Sequence, residues 1–177
     1  MMTQKGGGSY VAMAGDNLVM VNPGGSIRIA DANTGASELI YENRYFSFGF
    51  DAAPAGGRIV LMDNDGAHVW DVATKEKVYF HEDPVEANRI VQREVQLSAD
   101  GTRLAMLNRD NQARVIDLNS GAELLRVPVR QVKGLSIRLS PDGARLLTVS
   151  QAMTAEGIQL QMQVLNVDDQ SVLVDST

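Results

Sequence analysis

The chain has 177 residues, 44% of them hydrophobic and 21% charged, a balance too apolar for disorder and sufficient for one domain, or two small ones, with a sizeable core. Its 22 acidic and 16 basic side chains give a formal charge of -6, which speaks against wholesale nucleic-acid binding. The lack of cysteine excludes disulfide frameworks, thiolate zinc sites and cysteine nucleophiles. The apolar runs are far too short for a membrane span. The first fifteen residues hold one lysine and no apolar h-region, so no secretory signal is visible and a soluble, cytoplasmic protein is expected.

From the N-terminus, Gly6-Gly7-Gly8 marks residues 1–9 as a flexible tail, leaving 10–177 as a repeat domain. Two motifs then recur in fixed order. The first runs Leu97-Ser98-Ala99-Asp100-Gly101-Thr102-Arg103-Leu104 and returns 42 residues later as Leu139-Ser140-Pro141-Asp142-Gly143-Ala144-Arg145-Leu146. A degenerate copy lies between Phe50-Asp51 and Gly57-Arg58-Ile59-Val60. The second reads Ile27-Arg28-Ile29-Ala30-Asp31, His68-Val69-Trp70-Asp71, Arg114-Val115-Ile116-Asp117 and Gln163-Val164-Leu165-Asn166, with its acidic or amide residues 40, 46 and 49 apart. Turn signals such as Asn33-Thr34-Gly35 and Asn119-Ser120-Gly121 follow.

Short β-branched segments bounded by Gly, Asn, Asp or Pro read as strands. In the third copy these are Glu94–Leu97, Arg103–Leu107, Ala113–Asp117 and Glu123–Val127. The second strands, such as Ile59–Met62, Leu104–Leu107 and Leu146–Val149, are apolar at nearly every position, which predicts cover on both faces. No stretch carries a helical period with caps. The expected class is all-β.

Four strands per unit, a period near 42, a Ser-x-Asp-Gly turn and a closing Trp70-Asp71 resemble the WD-repeat β-propeller. His81-Glu82-Asp83-Pro84-Val85 is similar to the stretch that opens many such repeats. Only one Trp-Asp is literal, with Ala30, Ile116 and Leu165 at the other Trp positions, so divergent bacterial-type propellers are equally good relatives. The resemblance implies blades at about residues 10–41, 45–80, 92–128 and 133–175. It also gives structural repeat roles to Asp31, Trp70, Asp71, His81, Asp100, Gly101, Asp117, Asp142 and Gly143. Four blades are few for the family. A homodimer closing an eight-blade ring, membership of a longer propeller, and closure as four all remain open.

Residues 1–88 carry 6 basic and 12 acidic side chains, whereas 89–145 carry 10 and 6. In the propeller reading Arg89, Arg93, Arg109, Arg130 and Lys133 map to loops of one rim. They could bind an acidic protein partner; the competing reading is ordinary solvated surface, with Arg103 and Arg145 merely flanking buried strands. Asp63-Asn64-Asp65-Gly66 reads as a hairpin turn, since no bidentate Glu follows to complete a calcium loop. Asp168-Asp169 is a similar case. His68 and His81 fall one short of a catalytic zinc set. Trp70 is expected in the core, and Tyr45, Phe46 and Phe48 around the linker into the second blade.

No nucleophile elbow, phosphate loop or dinucleotide fingerprint is present, so no cofactor, metal or catalytic residue is expected. The functional expectation is a non-catalytic scaffold that presents rim loops of blades 2–4, including the long connections His81–Arg93 and Ser150–Gly157, to a protein. The alternative is one part of a larger propeller enzyme or ligand sensor with its active residues elsewhere.

Overall fold

The computed structural model describes residues 9–42, 49–83, 94–129, 136–154 and 157–176. All regular structure among them is β. The first sheet holds β1 (Tyr10–Ala14), β2 (Asn17–Val21), β3 (Ile27–Asp31) and β4 (Ser37–Tyr41). The second holds β5 (Gly49–Ala53), β6 (Arg58–Met62), β7 (Gly66–Asp71) and β8 (Lys77–Glu82). β9 (Glu94–Leu97), β10 (Arg103–Leu107), β11 (Gln112–Asp117) and β12 (Glu123–Pro128) make the third. β13 (Ser136–Leu139), β14 (Arg145–Thr154), β15 (Gly157–Asn166) and β16 (Val172–Ser176) make the fourth. Every sheet is an antiparallel meander in chain order.

The unbroken apolar runs of β6 and β10 find their reason in the stacking, whereas in β14 Leu146 is buried but Leu147 and Val149 on the other face are not. Ile59 and Leu61 of β6 pack with the first sheet, while Val60 and Met62 on its other face pack with the third. β10 repeats this, sending Leu104 and Met106 toward the second sheet and Ala105 and Leu107 toward the fourth. A strand buried on both faces gains nothing from polar alternation. The first strands lie beside one another in the order β1, β5, β9, β13. Among the described residues no comparable contact returns from β13 to β1.

Turns follow one chemical plan. Asp31, Asp71 and Asp117 each accept, through Oδ1, the backbone N–H groups two and three residues on, at 2.8–2.9 Å. This is the local bonding that makes Asp a turn residue. In the last three sheets a register shift falls at the same place between third and fourth strands, at Val69/Trp70, Val115/Ile116 and Val164/Leu165.

One segment departs from expectation. Ser150–Gly157 reads as a connection, yet the β14–β15 ladder continues to a Thr154–Gly157 pair. Ile158, Leu160 and Met162 alternate with Gln159, Gln161 and Gln163, a period of two that sustains strand pairing beyond the core.

Candidate functional site

Of the five basic residues expected on one rim, Arg89, Arg93, Arg130 and Lys133 lie outside the described residues, as do Tyr45, Phe46 and Phe48. Arg109 sits in the β10–β11 turn, where its backbone N–H donates to Asp83 Oδ2 at 3.4 Å. The Asp83 N–H in turn donates to the Asp65 carbonyl at 2.9 Å. Arg109 and the Asp63–Gly66 turn therefore share one end of the sheets.

At that end the second sheet buries a polar cluster. Asp63, 1% exposed, closes the β6–β7 turn by accepting the N–H of Asp65 at 2.9 Å and of Gly66 at 3.3 Å. The same carboxylate accepts from Tyr41 Oη at 2.7 Å and stands 3.1 Å from His68 Nε2. Burial pushes the Asp63 carboxyl up, but the hydrogen bonds from His68, Tyr41 and Asp65 outweigh it and hold the pKa at about 2. Burial, then the bond to Asp63, drives the Tyr41 phenol up.

Lys77 Nζ is 3.0 Å from His68 Nδ1. An ammonium can only donate there, which leaves Nε2 as the protonated nitrogen facing Asp63. Both imidazole nitrogens are thus engaged, and no nitrogen remains to take a proton from a substrate. Trp70, 2% exposed, covers the cluster, with its ring 4.9 Å from Tyr41 and stacked 5.7 Å from His68. Trp70 is a core residue.

His81 is half-buried on β8, its imidazole lowered by burial and by the nearby Arg114 guanidinium. Arg114, 4% exposed, is clasped by Asp110 and by Glu123, the latter at 3.1 Å. Along the first strands, Asp51 Oδ2 accepts the Leu97 N–H at 2.9 Å, and Gln96 Oε1 accepts that of Leu139 at 2.8 Å. Glu94 takes the Ile137 N–H at 2.8 Å and pairs with Arg138 at 2.5 Å. Burial raises the Asp51 carboxyl, against the Leu97 and Ala52 N–H groups and Arg138.

Joining of sheets is also the role of the repeated glycine turns. Asp100 accepts from Ser98 Oγ at 2.6 Å, and Asp142 bonds Ser140 Oγ. The carbonyls of Gly101 and Gly143 receive Arg58 Nη1 at 2.9 Å and Arg103 Nη1 at 3.0 Å from the preceding sheet. Each guanidinium reaches further, Arg58 to Asn119 at 3.1 Å and Arg103 to Asp168 at 2.7 Å. Arg103, read from sequence as the flank of a buried strand, is a latch, and Arg58 is another. Their shared place as first residue of a second strand was the available signal.

The described residues hold no grouping of three or more His, Asp or Glu side chains able to hold a metal. An open groove of about 240 Å³ runs between Pro128 and Val129 of the third sheet and Thr148, Ser150, Gln161 and Asp175 of the fourth. No family model matches the sequence, and no curated protein is similar to it.

Proposed function

We propose that the four sheets are the blades of a divergent β-propeller and that the protein is a non-catalytic interaction module. The observation that carries this reading is the use of its buried and half-buried polar groups. Asp51, Asp63, Gln96, Arg58 and Arg103 each bond a neighbouring sheet or turn, which fixes the loops rigidly and leaves them free to vary. First strands side by side and faces stacked in chain order agree with a radial arrangement.

Binding is assigned to the end that carries Arg109, where Arg89, Arg93, Arg130 and Lys133 also map by sequence, and an acidic peptide is the partner its charge suits. A labelled poly-glutamate peptide should bind with salt-sensitive affinity and lose binding when Arg109 and Arg130 are both changed to Glu. Unchanged binding removes the patch from the account. The second reading, part of a larger enzyme or ligand sensor, draws on the polar groove beside Thr148 and Ser150.

A further inference from the structure

The three junctions between sheets follow one design, and both ends of the array carry that design unfilled. At each junction the earlier sheet inserts four apolar side chains from its second and third strands. These are Val19, Val21, Ile27 and Ile29, then Val60, Met62, Ala67 and Val69, then Ala105, Leu107, Ala113 and Val115. All twelve are at most 2% exposed. The same register positions in the fourth sheet are Leu147, Val149, Met162 and Val164. They are apolar too, yet none is buried, and Met162 is 39% exposed.

The opposite face of each later sheet receives. In the second sheet Phe50, Ala52, Ile59, Leu61 and Trp70 do so and are buried. The matching positions of the first sheet are Val11, Met13, Leu18, Met20 and Ala30. Val11 is 66% and Met13 45% exposed. Apolar strand faces left in water on this scale mark an interface.

The latch is likewise split between the ends. Arg145 occupies the position of Arg58 and Arg103, but it is exposed, and among the described residues its guanidinium has only the charge of Asp142 nearby. The acceptors Asn119 and Asp168 lie two residues beyond Asp117 and Asn166. That offset from Asp31 gives Asn33, an exposed amide whose side chain bonds nothing among the described residues, and Gly15 matches the turn glycines in its left-handed φ of 58°. In between, Asn17 and Ala73 hold the latch positions of the first junction, which instead uses Tyr41–Asp63 at 2.7 Å and Glu38–Lys75 at 2.6 Å. The unmatched donor and the unmatched acceptor thus stand at opposite ends of one chain.

We infer that a second copy of this chain covers both ends: the fourth sheet of one copy seats on the first sheet of the other, with Arg145 reaching Asn33 and the Gly15 turn, and two copies close at eight sheets. A heterologous contact of this kind must close or propagate, and eight sheets lie within the range that radial sheet arrays adopt. The seam relies on side chains. Ala55 and Ala99 donate backbone N–H groups to the next sheet at 3.2 and 2.8 Å, but the equivalent residue of the fourth sheet is Pro141, which has no N–H.

Light scattering on the intact chain over about 1–100 µM, a range bracketing ordinary interface affinities, tests this. The expected particle has twice the chain mass. Arg145→Glu and, separately, Met13→Glu should each weaken association at least tenfold while circular dichroism stays unchanged. Arg145→Glu combined with Asn33→Arg should recover most of the loss, which a merely misfolded variant would not do. A single-chain mass throughout, a mass that grows without limit, or dimers indifferent to both substitutions would overturn the inference. The inference stands on the faces of the end sheets and not on the basic turns, so its failure leaves the peptide-binding reading to its own experiment.

Discussion

Arg103 of the third sheet donates through Nη1 to the Gly143 carbonyl of the fourth at 3.0 Å and through Nη2 to Asp168 at 2.7 Å. The two bonds differ in weight. Asp168 is 61% exposed, so water and salt screen that ion pair, and it contributes at most about 1 kcal/mol. The carbonyl bond is part-buried and charge-assisted, worth about 1–3 kcal/mol. Arg103→Ala should therefore lower the urea midpoint clearly, while Asp168→Ala lowers it less. Equal effects would mean that the ion pair carries the junction.

Gly143 holds φ at 72°, and a Cβ there would lie 2.6 Å from Arg103 Cδ. Gly143→Ala incurs the left-handed backbone penalty of about 1–2 kcal/mol and also displaces the latch. Gly121→Ala is the control, with φ 75° and nothing within 4 Å of the added carbon. Denaturant titration should find Gly143→Ala the more destabilising of the two. Equal losses would place the cost wholly in the backbone.

Trp70 is the sole tryptophan and is buried against Tyr41 and His68. Its emission should be blue-shifted in the native protein and move to the red on unfolding. Trp70→Ala should destabilise by about 3–5 kcal/mol, the range for deleting a buried aromatic, as read from the urea midpoint. A near-neutral result would contradict the strand register of the second sheet.

The Asp63 carboxyl, held at about 2, sits well below its unfolded value of about 3.9. A depressed carboxylate stabilises the fold above the unfolded pKa and loses that stabilisation as pH falls toward 2, an amount on the order of 2 kcal/mol here. Asp31, Asp100, Asp117 and Asp142 are lowered as well, each by hydrogen bonds in its turn, so the chain as a whole should weaken in acid. Asp63→Asn should be less stable at pH 7, yet lose less between pH 4 and 2. Parallel stability curves for the two proteins would show that Asp63 is not a source of the acid loss.

Periodicity and turn chemistry made the sheets legible. Ile59–Met62 and Leu104–Leu107 announced strands with two covered faces, and both faces are filled by neighbouring sheets. Other features depend on pairings that no single segment encodes. The Asp63–Gly66 turn is visible in sequence, but its acceptance of Tyr41 and the approach of His68 arise only once β4 lies over β7. The arginine latches join residues 43 and 40 positions apart, one repeat length, so they can be seen only after the repeats are laid face to face. Beyond Ser150–Gly157 the alternation with glutamine at 158–163 was present in the sequence, but the ladder that runs back to the Thr154–Gly157 pair depends on β14 and β15 meeting.

Cross-sheet stacking is tested most directly by amide hydrogen exchange at the first strands. The Leu97, Ile137 and Leu139 N–H groups are bonded by Asp51, Glu94 and Gln96 of the preceding sheet at 2.8–2.9 Å. Stacked first strand to first strand, these amides should be protected nearly as well as those of the central strands β6 and β10. Exchange at the rate of an open sheet edge would mean that the sheets do not stack in this way.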